Sequence, residues 1–222
     1  MHRLLQRTKQ YWESDVSFIS LLLMLFTIVF IIPMVIENEK DTTYFLNFMF
    51  IMLFFIGIFS ARDKIFVIAS VSMLSVHLLL RLIRFGDNPH EFYLLERIVI
   101  ILNILLFIVV NLRLLFRDAQ VNSYRIIGAV NVYLSLALWG AFAFELIQLI
   151  LGSSIEGNIH LKGWDDDFGD YMYFSLVSIS TVGFGDVYPS NMASKMLSAF
   201  LSVLGILYPA VVIAKLVSSA KE

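Results

Sequence analysis

The stretch Thr181-Val182-Gly183-Phe184-Gly185-Asp186-Val187-Tyr188-Pro189 decides how the chain is read. Consecutive L-residues in extended backbone alternate their carbonyls from one side to the other. Glycines at 183 and 185 can adopt positive φ, so successive carbonyl oxygens here can all be turned to one side. Thr181 adds a hydroxyl oxygen at the inner end of the row. Such a row offers a dehydrated cation a replacement for its water oxygens. One chain supplies only one wall, so a closed ring of oxygens requires further copies of the chain.

The flanks of this stretch are apolar. Of the 222 residues 59% are hydrophobic and 15% charged, with 20 Phe and a mean hydropathy of +0.82; a soluble domain of this length is not built this way. The absence of cysteine excludes disulfides and thiolate metal sites. A net charge of −2 leaves no basic footprint for nucleic acid. Residues 1–15 are polar and mixed in charge, and the first apolar run lacks a small-residue cleavage site, so the first helix is expected to act as its own insertion signal.

Six segments are long enough to cross about 30 Å of hydrocarbon: 16–36, 43–60, 65–83, 98–112, 126–151 and 192–216. A shorter apolar stretch, 168–180, cannot cross and stands directly before the oxygen row, which predicts a re-entrant helix. Asp170 or the acids at 165–167 would sit at its positive N-terminal end. With both termini cytoplasmic, ten of the sixteen cations face inward, among them Arg62, Lys64, Arg113, Arg117 and Arg125, which satisfies the positive-inside rule. Thirteen of the eighteen acids then face outward, where they would concentrate cations at the mouth.

Residues 121–221 resemble the pore module of the tetrameric potassium-channel superfamily, tightly across 173–189 and loosely elsewhere. The six-helix layout is similar to its voltage-gated and cyclic-nucleotide-gated branches. The resemblance implies an all-α membrane protein: six transmembrane helices, a re-entrant pore helix and a filter loop, assembled as a homotetramer. It implies K+ ions coordinated by filter oxygens of Thr181, Val182, Gly183 and Phe184. It further implies a cytoplasmic segment 1–15, a four-helix voltage-sensor-like peripheral domain 16–117 and a pore domain 118–222 in a plasma membrane. The expected partners are its own copies and membrane lipids, with no nucleic acid and no identifiable small-molecule ligand. The expected activity is passive, potassium-selective conduction rather than catalysis. The alternatives are a poorly selective cation channel and a non-conducting membrane sensor or regulatory subunit with a pore-like fold.

The resemblance also assigns roles to single residues. Asp186, after Gly185, corresponds to the carboxylate that braces the outer mouth, and its partner would be Tyr173, the first of two pore-helix aromatics. Phe174 is the second. Phe184 replaces the commoner Tyr, so beside Phe174 it would leave only apolar packing and a softer filter. Val177 stands where one bacterial branch often carries Glu. Tyr188 falls at the outer-mouth position where an aromatic ring favours external tetraethylammonium. Glu145, a carboxylate within an apolar span, is expected to bond backbone amides near Ser190 and Asn191, or else to reach the outer interface. Gly205 lies at the hinge spacing of the family, twenty residues after Gly185, and Pro209 removes the helical donor for the carbonyl of Gly205. Ile206, Ile213 and Val217 would then face the cavity or its inner constriction, where a ring of apolar side chains closes a pore by dewetting.

Voltage sensing is expected to be weak. Between Arg97 and Arg113 the fourth segment carries no positive charge, whereas a steep sensor needs about three to four gating charges per subunit. His77, Arg81 and Arg84 share one face of the third helix near its outer end. No acid is expected inside helices one to four, so these cations should snorkel outward and pair with Glu91 or Glu96. Arg113, Arg117 and Arg125 read as topology determinants, with contact to anionic lipid as the alternative. The acids at 165–167 are expected to be solvated. The chain runs six residues past Leu216, so no nucleotide- or calcium-binding domain is expected after it.

Overall fold

In hydrocarbon every backbone N–H must find its acceptor within its own segment, which turns long apolar runs into helices. The computed structural model describes residues 17–36, 42–60, 64–85, 92–117 and 123–219. The first rod consists of α1 (Ser17–Phe26), a π-helical turn (Thr27–Ile31) and α2 (Ile32–Ile36). Ile32 N–H donates to the carbonyl of Thr27, so the ladder slips by one residue just before Pro33, which has no N–H to continue it. Thr27 Oγ1 donates back to Leu23 O at 2.8 Å. Four more helices follow: α3 (Thr42–Ser60), α4 (Lys64–Phe85), α5 (Tyr93–Arg117) and α6 (Ser123–Leu151). After β1 (Ile155–Gly157), a single 3-10 turn (Trp164–Asp167) enters α7 (Phe168–Ile179), and β2 (Val187–Pro189) leads to α8 (Met192–Ser219).

Among the described residues five helices are long and apolar enough to cross a membrane: Phe18–Val35, Ile65–Ile83, Tyr93–Arg113, Arg125–Leu151 and Met192–Ser218. The expected second segment is helical as α3, 19 residues from Thr42 to Ser60. The protein is thus an all-α, multi-pass membrane protein. The short β1–β2 pair was not expected. It is antiparallel, with Ile155 opposite Pro189, Glu156 opposite Tyr188 and Gly157 opposite Val187.

The fourth segment also begins earlier than position 98. α5 starts at Tyr93, which brings Glu96 and Arg97 inside the helix, buried. Residues 1–15, Arg62, Glu91 and the side chains of Arg84 and Arg117 lie outside the described residues.

α6 is the central post. It packs against α5, α7, α1 and α8, and supplies Ala137, Leu138, Ala141, Phe142 and Phe144 to the main core. Small residues on α6 permit close approach, which drives helix association where lipid offers no hydrophobic contrast. The ring of Phe50 on α3 meets Phe142 at 5.1 Å and Phe168 at 5.7 Å, edge to face in both cases, tying three elements at one point. At Gly57 the ring of Phe107 occupies the space a Cβ would need. Asn131 Nδ2 on α6 donates to Phe18 O at 3.0 Å and anchors the inner end of α1. Pro33, just past the π turn, lies against Gly169, where an added Cβ would stand 3.6 Å from the Pro33 Cβ.

Candidate functional site

The end of α7 presents the oxygen-rich segment. Ser180 N–H donates to Leu176 O at 2.9 Å and Thr181 N–H to Ser178 O at 3.1 Å, closing the helix. Thr181 follows with φ of 60°, the one described non-glycine residue in that region. A β-branched residue there is strained, and such strain persists only where neighbouring bonds over-determine it. Gly183 and Gly185 have φ of 58° and 80°. A Cβ at either glycine would meet nothing within 4 Å, so backbone conformation rather than space requires glycine. All of 181–186 is exposed in the single subunit, with Phe184 at 71%.

Several ties hold this segment. Tyr173 Oη donates to Asp186 Oδ2 at 2.6 Å. That bond holds the Asp186 carboxyl below the usual carboxylate range and pushes the Tyr173 hydroxyl up. Asn158 N–H donates to Asp186 O at 2.8 Å beside the β1–β2 ladder, and Gly157 (φ 135°) lies so close to that carbonyl that no Cβ fits. At the inner end Ser202 Oγ donates to Ser178 O at 2.9 Å, Tyr133 Oη to Ile179 O at 3.3 Å, and Ser175 Oγ to Ala137 O at 2.5 Å. The ring of Phe174 packs on Phe144 of α6, centroids 4.8 Å apart. Phe174 is covered by α6 while Phe184 remains exposed. Val177 is buried, and Tyr188 is half-exposed opposite Glu156.

Residues 126–222 match the family model described as ion channel. The chain is 41% identical over 63 residues to "Potassium channel K2" of Plasmodium falciparum (isolate 3D7), covering 28% of this chain and 4% of that protein. It is 39% identical over 85 residues to "Potassium channel K2" of Plasmodium berghei (strain Anka), covering 37% of this chain and 5% of that protein. The chain thus matches only a small fraction of the length of these relatives. No solved structure matches it at a significant level. Residues 126–222 are thus similar to an ion-channel domain.

Away from residues 181–186, the chain buries a charge network that sequence reasoning missed. Glu145 does not reach the amides near Ser190 and Asn191. Its Oε1 accepts from Tyr93 Oη at 2.5 Å and from Arg97 Nε at 2.9 Å. The amides it was expected to meet are already satisfied: Ser190 N–H donates to Ser154 O at 2.9 Å and Asn191 N–H to Ser194 Oγ at 3.3 Å, while Asn191 Oδ1 caps α8 by accepting Ser194 N–H at 3.0 Å. Arg97 Nη2 also donates to Asp165 Oδ1, and its guanidinium lies 4.3 Å from the centroid of the Tyr93 ring.

Arg81 corrects a second expectation. It is buried rather than snorkelling, with Nη2 2.5 Å from Glu96 Oε1 and Nη1 3.8 Å from Asp165 Oδ2. His77, one turn away on α4, is fully buried against the ring of Phe54. An acid does lie inside the fourth helix, and it is Glu96. The acids at 165–167 divide their tasks in the same way. Asp166 is exposed, Asp165 joins the network, and Asp167 accepts the N–H groups of Lys162 at 2.6 Å and Gly163 at 2.8 Å. The available signal was Glu145 itself, since a carboxylate in an apolar span calls for a cation.

Beyond β2, α8 runs unbroken through Gly205 and Pro209. Gly205 sits directly on the carbonyl of Ile179, where no Cβ fits, so its small size seats α8 against the end of α7. Tyr208 Oη donates to Ala129 O at 2.8 Å and ties α8 to α6. Ile206, Ile213 and Val217 are exposed in the single subunit. Arg113 lies over the ring of Phe66 at 5.0 Å, an α5–α4 contact at the inner side.

Proposed function

We propose that the chain forms a homotetrameric potassium channel that conducts K+ passively across the plasma membrane, with both termini cytoplasmic. The observation that carries this reading is the backbone of 181–186. Positive φ alternates through Thr181, Gly183 and Gly185, and the segment is held by the Tyr173–Asp186 bond outside and by the end of α7 inside. Four copies of this segment about one axis would surround dehydrated K+ with backbone carbonyls from Thr181, Val182, Gly183 and Phe184 and the Thr181 hydroxyl. Gly185 and Asp186 support the row, with Tyr173, Phe174 and Glu145 behind it. Tyr188 lines the outer mouth. The two names "Potassium channel K2" support the choice of ion. The exposed apolar face of α8, with Ile206, Ile213 and Val217, lines the inner cavity and closes it, and Gly205 and Pro209 give the bend. Residues 16–117 form a peripheral domain with little or no voltage dependence.

The deciding experiment is a potassium-gradient flux assay on purified protein in liposomes, with sodium substitution and Gly183→Ala as control. Flux that sodium does not support, and that the substitution abolishes, is the expected result. Equal sodium and potassium flux would overturn the selectivity. No flux from an intact tetramer would favour a non-conducting relative.

A further inference from the structure

We propose that Arg97 and Asp165 are positioning residues for the filter: the guanidinium on α5 fixes the start of α7, and α7 carries that position to residues 181–186. The inference rests on the channel reading for its functional meaning, but its geometry is independent of it.

Five charged side chains meet at the outer end of the molecule: Arg81, Glu96, Arg97, Glu145 and Asp165, each at most 5% exposed. They come from α4, α5, α6 and the turn before α7. Arg97 is the junction, because it bonds Glu145 on α6 and Asp165 in the turn at once. Asp165 lies three residues before the first residue of α7, and Asp167 in the same turn ties back to Lys162 and Gly163. A buried charge left without its partner costs more than a lost neutral hydrogen bond. The turn therefore follows the guanidinium rather than relaxing away from it.

α7 has 12 residues, a stiff rod of about 18 Å at about 1.5 Å per residue. A displacement at its start is delivered at its far end, where Ser180 and Thr181 leave the helix. Midway along, Tyr173 holds Asp186, so the outer limb of the filter hangs on the same rod. Other contacts of the peripheral helices with the start of α7 include the apolar ones of Phe50 on Phe168 and Pro33 on Gly169, and the longer 3.8 Å pair of Arg81 with Asp165. The apolar contacts slide with little loss, whereas the ion pair of Arg97 with Asp165 has one geometry. Arg97, the hydrogen-bonded partner of Asp165, is therefore the tightest of these polar contacts through which a movement of α5 reaches the filter, with Arg81 of α4 beside it.

The test compares hydrogen exchange of residues 181–186 in the wild-type tetramer, in Asp165→Asn and in Arg97→Lys, and measures the K+/Na+ permeability ratio of each in liposomes. Asp165→Asn keeps the shape of the side chain and removes its charge. It is expected to speed exchange at 181–186 by about tenfold, with the inner half of α8 unchanged. It should also lower the permeability ratio, a property of conducting molecules that does not depend on how many of them fold. Arg97→Lys, which keeps the charge and loses the two-pronged donor, should fall between wild type and Asp165→Asn.

Unchanged exchange at 181–186 in an intact Asp165→Asn tetramer would overturn the proposal, even if that tetramer melts earlier. If Asp165→Asn does not assemble, the same comparison with Arg97→Lys decides. Wild-type vesicles that pass no K+, together with the expected exchange, would overturn the channel reading and leave the positioning role standing. Selective wild-type flux with unchanged exchange in the variants would do the reverse.

Discussion

At Asp186 one hydroxyl group is the first cause of a lowered carboxyl pKa. The Tyr173 hydroxyl donates to the carboxylate and holds its pKa below the usual range. The sign follows: the bond contributes fully above the ordinary carboxylate pKa and is lost as pH falls through the depressed one. Tyr173→Phe should therefore move acid loss of flux to higher pH, read from a titration of K+ flux against external pH. At Gly205 a Cβ would enter the carbonyl of Ile179, so Gly205→Ala should destabilise the tetramer by about 1–3 kcal/mol in chemical denaturation.

Filter residues were legible in the sequence because backbone demands show as residue type. Gly183 and Gly185 announce positive φ by lacking a side chain. Thr181 does not, because nothing about a β-branched residue points to that conformation. The partner of Glu145 was equally illegible. A buried carboxylate announces that it needs a cation, but Arg97 lies 48 residues away along the chain and only the packing of α5 on α6 brings the two together.

Helices were legible as elements from their apolar length, and the re-entrant α7 from its shortness. Their ends were less so. Tyr93, Leu94, Leu95, Glu96 and Arg97 look like the close of a polar loop, yet they form the first turns of α5 because partners on α4, α6 and the turn before α7 take up their charges. The β1–β2 pair escaped notice because three residues per strand are too few for an alternating pattern to register. That pair is nevertheless sensitive to sequence. Gly157→Ala would place a methyl in a positive-φ position against the carbonyl of Asp186, a strain of about 1–3 kcal/mol. The expected result is faster exchange at the Asn158 amide and a less stable tetramer, measured by hydrogen exchange and by denaturation.

For the whole molecule, the proposed tetramer would give the exposed face of α8 copies of itself to meet. α8 exposes Met192, Met196, Phe200, Val203, Ile206 and Val211, while among its described side chains only Ser194, Leu201 and Val212 are buried. Light scattering on detergent-purified protein should give a protein mass of four chains of 25.4 kDa each.

The buried pairs of Arg81 and Arg97 have a further, electrical consequence. A potential of 100 mV does about 2.3 kcal/mol of work on a full charge carried across the membrane, whereas stripping one partner from a buried pair costs about 3–5 kcal/mol. The field is too weak to unseat either guanidinium. Voltage steps on a non-permeating background should therefore elicit no displacement current from these helices. In the proposed channel these helices would act electrically as a passive dielectric, and a membrane containing the open pore would be drawn toward the equilibrium potential of the permeant ion at every voltage alike.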